Sequence, residues 1–211
     1  MLHSRNGEHM PTLSTLAAPS PASPREKRDL LHYKQALAVW RGVRESWPTD
    51  TAKAGSNSLF YAVSLAFFYK GQTDYPDLGE AAELLGALRQ CLQLDPRDEK
   101  QCEEALTRLD ALPGIGLARA STLLHCLHPD EFPIVDRNAA ETLCKWRDSP
   151  YWPEGVLCPT CEFSQMTQDA RAYLEYRRVL LALAAKSGLT LREVEFALYN
   201  AGRKGETVTG P

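Results

Sequence analysis

The run Leu109-Asp110-Ala111-Leu112-Pro113-Gly114-Ile115-Gly116-Leu117-Ala118-Arg119-Ala120-Ser121-Thr122-Leu123-Leu124 decides the fold. Ahead of its center, Leu106, Leu109 and Leu112 recur at a helical step. Beyond it, Ala120, Leu123, Leu124 and Leu127 take up the same period. Between them stands Pro113-Gly114-Ile115-Gly116, so the run predicts two helices joined by a very tight hairpin. Gly114 and Gly116 tolerate positive φ and let another group approach bare backbone. The second helix opens with free N–H groups and the positive end of its dipole, which together make a phosphate site. The same Gly-Ile-Gly also reads simply as a compact helical turn.

Outward from the hairpin the chain reads as all-α. Leucine and alanine recur at helical spacing, whereas only two isoleucines occur, Ile115 and Ile134, and valines are scattered. Residues 1–25, with Pro11, Pro19, Pro21 and Pro24 among Ser, Thr and Ala, are expected to be a disordered tail. From Arg25 the spacing of Leu30, Tyr33, Leu37, Trp40, Val43 and Trp47 predicts an amphipathic helix stopped by Pro48. A second helix through Phe60, Val63, Phe67 and Phe68 is apolar nearly all round and is expected to be central. Further helices are predicted from about Asp77 to Leu94 and from Glu99 to Leu112, then over Ala139 to Trp146. Asp148 to Thr167 reads as a loop. A long helix through Tyr173, Tyr176, Leu180 and Leu183 ends at Gly188, and Thr190-Leu191-Arg192-Glu193 opens the last one. The domain is expected over 26–202, as two lobes around a cleft, with 203–211 as a C-terminal tail. Trp40, Trp47, Phe60, Phe67 and Phe68 are expected mostly in the core.

The 211 residues are 44% hydrophobic and 24% charged. No apolar run approaches the ~20 residues of a bilayer-spanning helix, and no secretory leader opens the chain. A soluble, cytoplasmic protein with no membrane partner is the expectation. The net charge of −3 is awkward for a nucleic-acid binder, although a local basic patch can sit on an acidic body. The six cysteines are read as reduced thiols. Cys158-Pro159-Thr160-Cys161 has the form of half a zinc site, but no second ligand pair at the usual spacing accompanies it, so zinc at Cys158 and Cys161 is not expected. His125 and His128 lack acidic or cysteine partners nearby and read as packed or solvent-facing.

Leu112-Pro113-Gly114-Ile115-Gly116, followed by Phe132-Pro133-Ile134-Val135-Asp136-Arg137-Asn138, resembles the helix-hairpin-helix DNA base-excision glycosylase superfamily, which includes endonuclease III and the adenine and alkyladenine glycosylases. The likeness runs from about Leu106 to Leu143. It implies a helical glycosylase-like domain, DNA as partner, and a catalytic aspartate that falls on Asp136. Asn138 matches a residue that assists at the active site of the adenine enzymes. The hairpin residues Pro113, Gly114, Ile115 and Gly116, with Arg119, would hold the DNA backbone, with a monovalent cation at the hairpin as in that family.

The departures narrow the chemistry. Where bifunctional members carry a lysine nucleophile this chain has Ala118, followed by Arg119, and without an amine there is no Schiff base. Cys144, Cys158 and Cys161 do not reproduce the iron–sulfur spacing of endonuclease III. The helix from Asn57 to Lys70 has no acid to serve adenine departure. The resemblance therefore implies a monofunctional N-glycosylase, expected as a monomer, or else a non-catalytic nucleic-acid-binding module. For Asp136 two roles stay open from the residues alone: helix N-cap and catalytic carboxylate.

Overall fold

The computed structural model describes residues 24–46, 81–158 and 162–206, with the isolated positions 12, 62–64, 66 and 208. Nearly all of the expected N-terminal tail lies outside these residues. So do Trp47, Phe60, Phe67, Phe68 and Cys161.

Eight helices are described: α1 Pro24–Ser46, α2 Ala81–Leu92, α3 Glu99–Asp110, α4 Gly116–Leu127, α5 Arg137–Arg147, α6 Phe163–Met166, α7 Ala170–Ser187 and α8 Leu191–Lys204. Residues 62–64 are helical as well, and no strand occurs among the described residues. The chain is all-α. No described helix is long and apolar enough to cross a membrane. The predicted loop over 148–167 contains the short α6. The last helix runs to Lys204, and Val208, within the expected C-terminal tail, is buried in the core.

Local sequence sets the helix ends. Asp98 accepts from the Lys100 and Gln101 amides to cap α3, and Asp169 accepts from Arg171 to cap α7. Thr190 and Glu193 form a reciprocal capping box on α8, satisfying N–H groups that have no partner within the helix. Gly188 closes α7 and Gly205 closes α8, both in the left-handed region that glycine enters without a Cβ penalty.

α4 is the enclosed helix: every residue from Ala120 to Leu127 is buried. α3 packs on it across the hairpin, and α1 and α2 also contact it. Trp40 of α1 is buried, and its indole N–H donates to the Ala62 carbonyl at 3.0 Å. Arg44, near the end of α1, donates to the Leu127 carbonyl at 3.2 Å. It thus places a cation on the last carbonyls of α4, where the dipole favors positive charge. α8 lies along α5, and α7 meets α3, α6 and α8. Each large apolar side chain taken out of water here contributes about 1.5–3 kcal/mol before the entropic cost of ordering it.

Candidate functional site

The hairpin forms as the glycines require. Gly114 has φ 73° and Gly116 φ 61°, a region that costs an L-residue about 1–2 kcal/mol. Pro113, Gly114 and Gly116 are exposed. Ile115 is not: its side chain is buried in the core, and its amide donates to the Leu112 carbonyl at 3.0 Å. Ile115 stands at the N-cap of α4 with no side-chain hydrogen bond to the first turn. The amides at the start of α4 therefore lack the capping that α3, α5, α7 and α8 receive, which suits an anion approaching the dipole's positive end. Arg119 donates to the Gly114 carbonyl. That oxygen is already engaged by a positive group, and a monovalent cation at the hairpin would have to share it.

Between α4 and α5 the chain is irregular and buried from Phe132 to Val135. Without helix or sheet, its backbone groups need side-chain partners. Five different side chains supply them, one to each of five consecutive residues. Arg177 Nε donates to the Glu131 carbonyl at 2.6 Å. His125 Nδ1 pairs with the Phe132 carbonyl at 2.7 Å, and the Tyr173 hydroxyl donates to the Pro133 carbonyl at 2.8 Å. The Ile134 amide donates to Glu195 Oε2 at 3.0 Å, and the Val135 amide to Ser121 Oγ at 3.2 Å. Because a carbonyl only accepts, His125 carries its proton on Nδ1. Its Nε2, 2.8 Å from the Tyr33 hydroxyl, then accepts from that phenol in the neutral ring.

Charge reinforces this clamp. Arg177 also donates to the Pro96 carbonyl at 2.8 Å and lies 4.7 Å over the Phe132 ring. Glu195 is buried and paired with Arg192, which itself lies 4.4 Å over the Tyr33 ring. A buried carboxylate needs such partners. Burial holds the phenols of Tyr173 and Tyr176 well above their ordinary pKa, so both stay protonated donors.

The clamp ends on Asp136. This half-buried residue is the N-cap of α5, with Oδ1 accepting from the Asn138 amide at 2.8 Å. Capping is thus one role it fills. Ser121 connects it to the hairpin: one Oγ donates to the Ala118 carbonyl at 2.8 Å in the first turns of α4 and accepts from Val135, the neighbor of Asp136. Asn138 is half-buried where α5 meets α8 at Gly202. Arg137 is exposed and lies 5.3 Å over the Phe163 ring, at one side of an open groove shared with Glu141, Cys144, Lys145 and Glu162.

The cysteines correct one expectation. Cys91, Cys102, Cys126 and Cys144 are free thiols, but Cys158 is disulfide-bonded. A disulfide sulfur has no thiolate to give a metal. Among the described residues no cluster of His, Cys, Asp or Glu is arranged to hold a metal ion. His125 and His128 are packed as expected, His128 bonding the Cys91 carbonyl at 2.7 Å.

Reading the sequence singled out the hairpin, Asp136 and Asn138 as candidates and passed over the clamp residues Ser121, His125, Tyr173, Arg177 and Glu195. Their signal is a polar group on an otherwise buried helical face: Ser121 and His125 are one turn apart on α4, and Tyr173 and Arg177 one turn apart on α7. No protein-family description matches the chain, and neither a curated protein nor a solved structure matches it.

Proposed function

We propose that this protein is a helix-hairpin-helix DNA-binding protein of the base-excision type, acting as a monofunctional N-glycosylase on a modified base. On this reading the Gly114-Ile115-Gly116 turn takes a DNA phosphate through the amides of Gly114 and Gly116, the Ile115 amide being committed to the Leu112 carbonyl at 3.0 Å, with Arg119 beside them. The target nucleotide leaves the stack and enters a cleft between two helical lobes, where Asp136 opposes the positive charge that develops on the sugar as the base departs. Asn138 lies in the first turn of the helix that Asp136 caps. The protein works as a monomer inside the cell and needs no metal for the reaction.

The observation that carries this reading is the rigid mounting of Asp136. Five side chains from three helices immobilize the segment that leads into it, and Ser121 ties that segment to the helix that opens at the hairpin. The same contacts satisfy the buried backbone of residues 131–135 and hold in place the segment that leads into Asp136, as a carboxylate that must meet a developing charge requires. Two features favor the second reading, a binding module without chemistry: Ala118 stands where an amine nucleophile would be, and the net charge is −3.

The test is incubation with duplexes that each carry one modified base, with and without hot alkali. The glycosylase reading expects strand breaks only after alkali, and no borohydride-trapped adduct, because Ala118 supplies no amine. Salt-dependent binding with no excision on any duplex supports the module instead, and no binding at low salt sinks both.

A further inference from the structure

Among the described residues four arginines lie over aromatic rings, and they are of two kinds. Arg177, over Phe132, pairs with Glu131, and Arg192, over Tyr33, pairs with Glu195, so both charges are spent within the protein. Arg137 lies 5.3 Å over Phe163 and Arg203 5.7 Å over Tyr199. Both are exposed, and neither side chain has an ion pair or a hydrogen-bond acceptor among the described residues. Glu141 and Glu162 line the groove of Arg137 without pairing with it. A ring attracts a guanidinium through its charge and consumes none of its five N–H donors. The ring under Arg203 is itself held: Tyr199 stacks on Phe196, with centroids 6.5 Å apart and planes 24° from parallel. Helix position sharpens the case. Arg137 is the first residue of α5, at the dipole end that disfavors a cation, so its charge does not serve the helix. Arg203 stands in the last turn of α8. Arg137 is the chain neighbor of both Asp136 and Asn138, and Arg203 follows Gly202, which packs against Asn138. The two arginines thus leave the backbone within one residue of the same contact between α5 and α8.

We propose that Arg137 and Arg203 form a two-point phosphodiester contact beside Asp136, each guanidinium donating to the nonbridging oxygens of a nucleic-acid backbone. The contact rests on the nucleic-acid partner of the proposed function and gives it a second grip on the backbone, next to the carboxylate instead of at the hairpin. A planar guanidinium can donate two parallel N–H bonds to one phosphate. The ring beneath each one restricts its swing before the ligand arrives, which lowers the ordering cost of binding. Contacts of this kind position the strand and carry no sequence information.

The test is fluorescence anisotropy of one labeled DNA duplex across a salt series, with Arg137→Gln, Arg203→Gln and the double variant. Arg97→Gln, on the exposed turn before α3, removes the same charge elsewhere and is the control. Each single variant weakens binding and lowers the slope of log affinity against log salt by about 1, and the double variant by about 2. The losses are equal on a second duplex of unrelated sequence, and Arg97→Gln keeps the wild-type slope. Unfolding midpoints show that the variants are folded at the assay temperature; that of Arg137→Gln stays or rises, because a cation has left the positive end of α5. Wild-type slopes in the folded variants, or a loss confined to one arginine, overturn the two-point contact while wild-type binding leaves the DNA-binding reading standing. No salt-dependent binding by the wild type overturns both.

Discussion

Gly202 of α8 lies against the backbone of Asn138 on α5: a Cβ at Gly202 would stand 2.5 Å from the Asn138 carbonyl oxygen, 2.7 Å from Thr142 Oγ1 and 2.9 Å from Asn138 Cβ. Two of these three neighbors belong to Asn138, one of them its backbone, so the approach of the two helices depends on glycine. The same contact fixes the first turn of the helix that Asp136 caps.

Gly202→Ala should therefore destabilize the protein. Helix propensity alone would gain about 0.5–1 kcal/mol, but overpacking costs about 1–3 kcal/mol and here meets a carbonyl that cannot turn aside. Adding Thr142→Ala should not rescue the variant, because it removes only the hydroxyl at 2.7 Å and leaves the contact at 2.5 Å. Gly86 in α2 is exposed, and a Cβ there would meet nothing within 4 Å. Gly86→Ala should accordingly stabilize by about 0.4–1 kcal/mol. Urea denaturation of both variants checks the pair, and a Gly202→Ala midpoint at or above wild type would show that the helices can part.

Gly116 separates the turn's conformation from its surface. At φ 61° with open space around it, Gly116→Ala should cost about 1 kcal/mol from backbone strain alone. Gly116→Leu should cost a similar amount, since its Cβ also points into open space. DNA affinity should divide the two, with Leu losing far more because its side chain obstructs approach to the α4 amides. Fluorescence anisotropy on a labeled duplex measures this. Equal affinity for folded Leu variant and wild type would remove the hairpin from the interface.

Much of the fold was legible because its signals are local. Gly188, Thr190 and Glu193 end and begin helices by chemistry contained within a few residues. The Leu112 to Gly116 turn announces itself through the two glycines. What escaped reading is long-range. Arg177 reaches Glu131 and Pro96, 46 and 81 residues away, and nothing in the spacing of α7 says which carbonyls it will meet. The enclosure of α4 was hidden for the same reason: Ser121, Thr122 and His125 look like a polar stripe until their partners close over them. Thr122 spends its hydroxyl on the Ala118 carbonyl at 3.0 Å, within its own helix.

The buried thiols make a prediction at alkaline pH. Burial pushes Cys91 up to about 12, above its ordinary 9.0. The folded state therefore keeps this proton when the unfolded chain has lost it. The sign follows: the contribution is fully present below pH 9 and is lost as pH rises toward 12. Burial of Tyr173 and Tyr176 adds to the loss in the upper part of that window. Stability followed by urea denaturation should fall across that window, and the slope should be shallower in Cys91→Ala. A thiol reagent at neutral pH should label Cys91 only as the protein unfolds. Rapid labeling of Cys91 in the folded protein would contradict its burial.

Asp136 is a cap and, on the proposed function, also the catalyst, and two substitutions separate the roles. The cap is visible: Oδ1 accepts from the Asn138 amide at 2.8 Å. Asn caps about as well as Asp, so Asp136→Asn should leave the unfolding midpoint nearly unchanged, whereas Asp136→Ala should cost about 1 kcal/mol. Excision should not follow that order. An amide has no charge to oppose an oxocarbenium ion and cannot accept a proton from water, so Asp136→Asn should lose base excision by orders of magnitude while keeping fold and DNA affinity. Asp136→Ala should be no more active than Asp136→Asn despite its lower stability. The decisive comparison is single-turnover excision by wild type and Asp136→Asn on the best duplex, at a temperature where both are folded. Equal rates would leave Asp136 as a cap alone, and the clamp from Glu131 to Val135 as a device for closing the core over a buried, irregular segment.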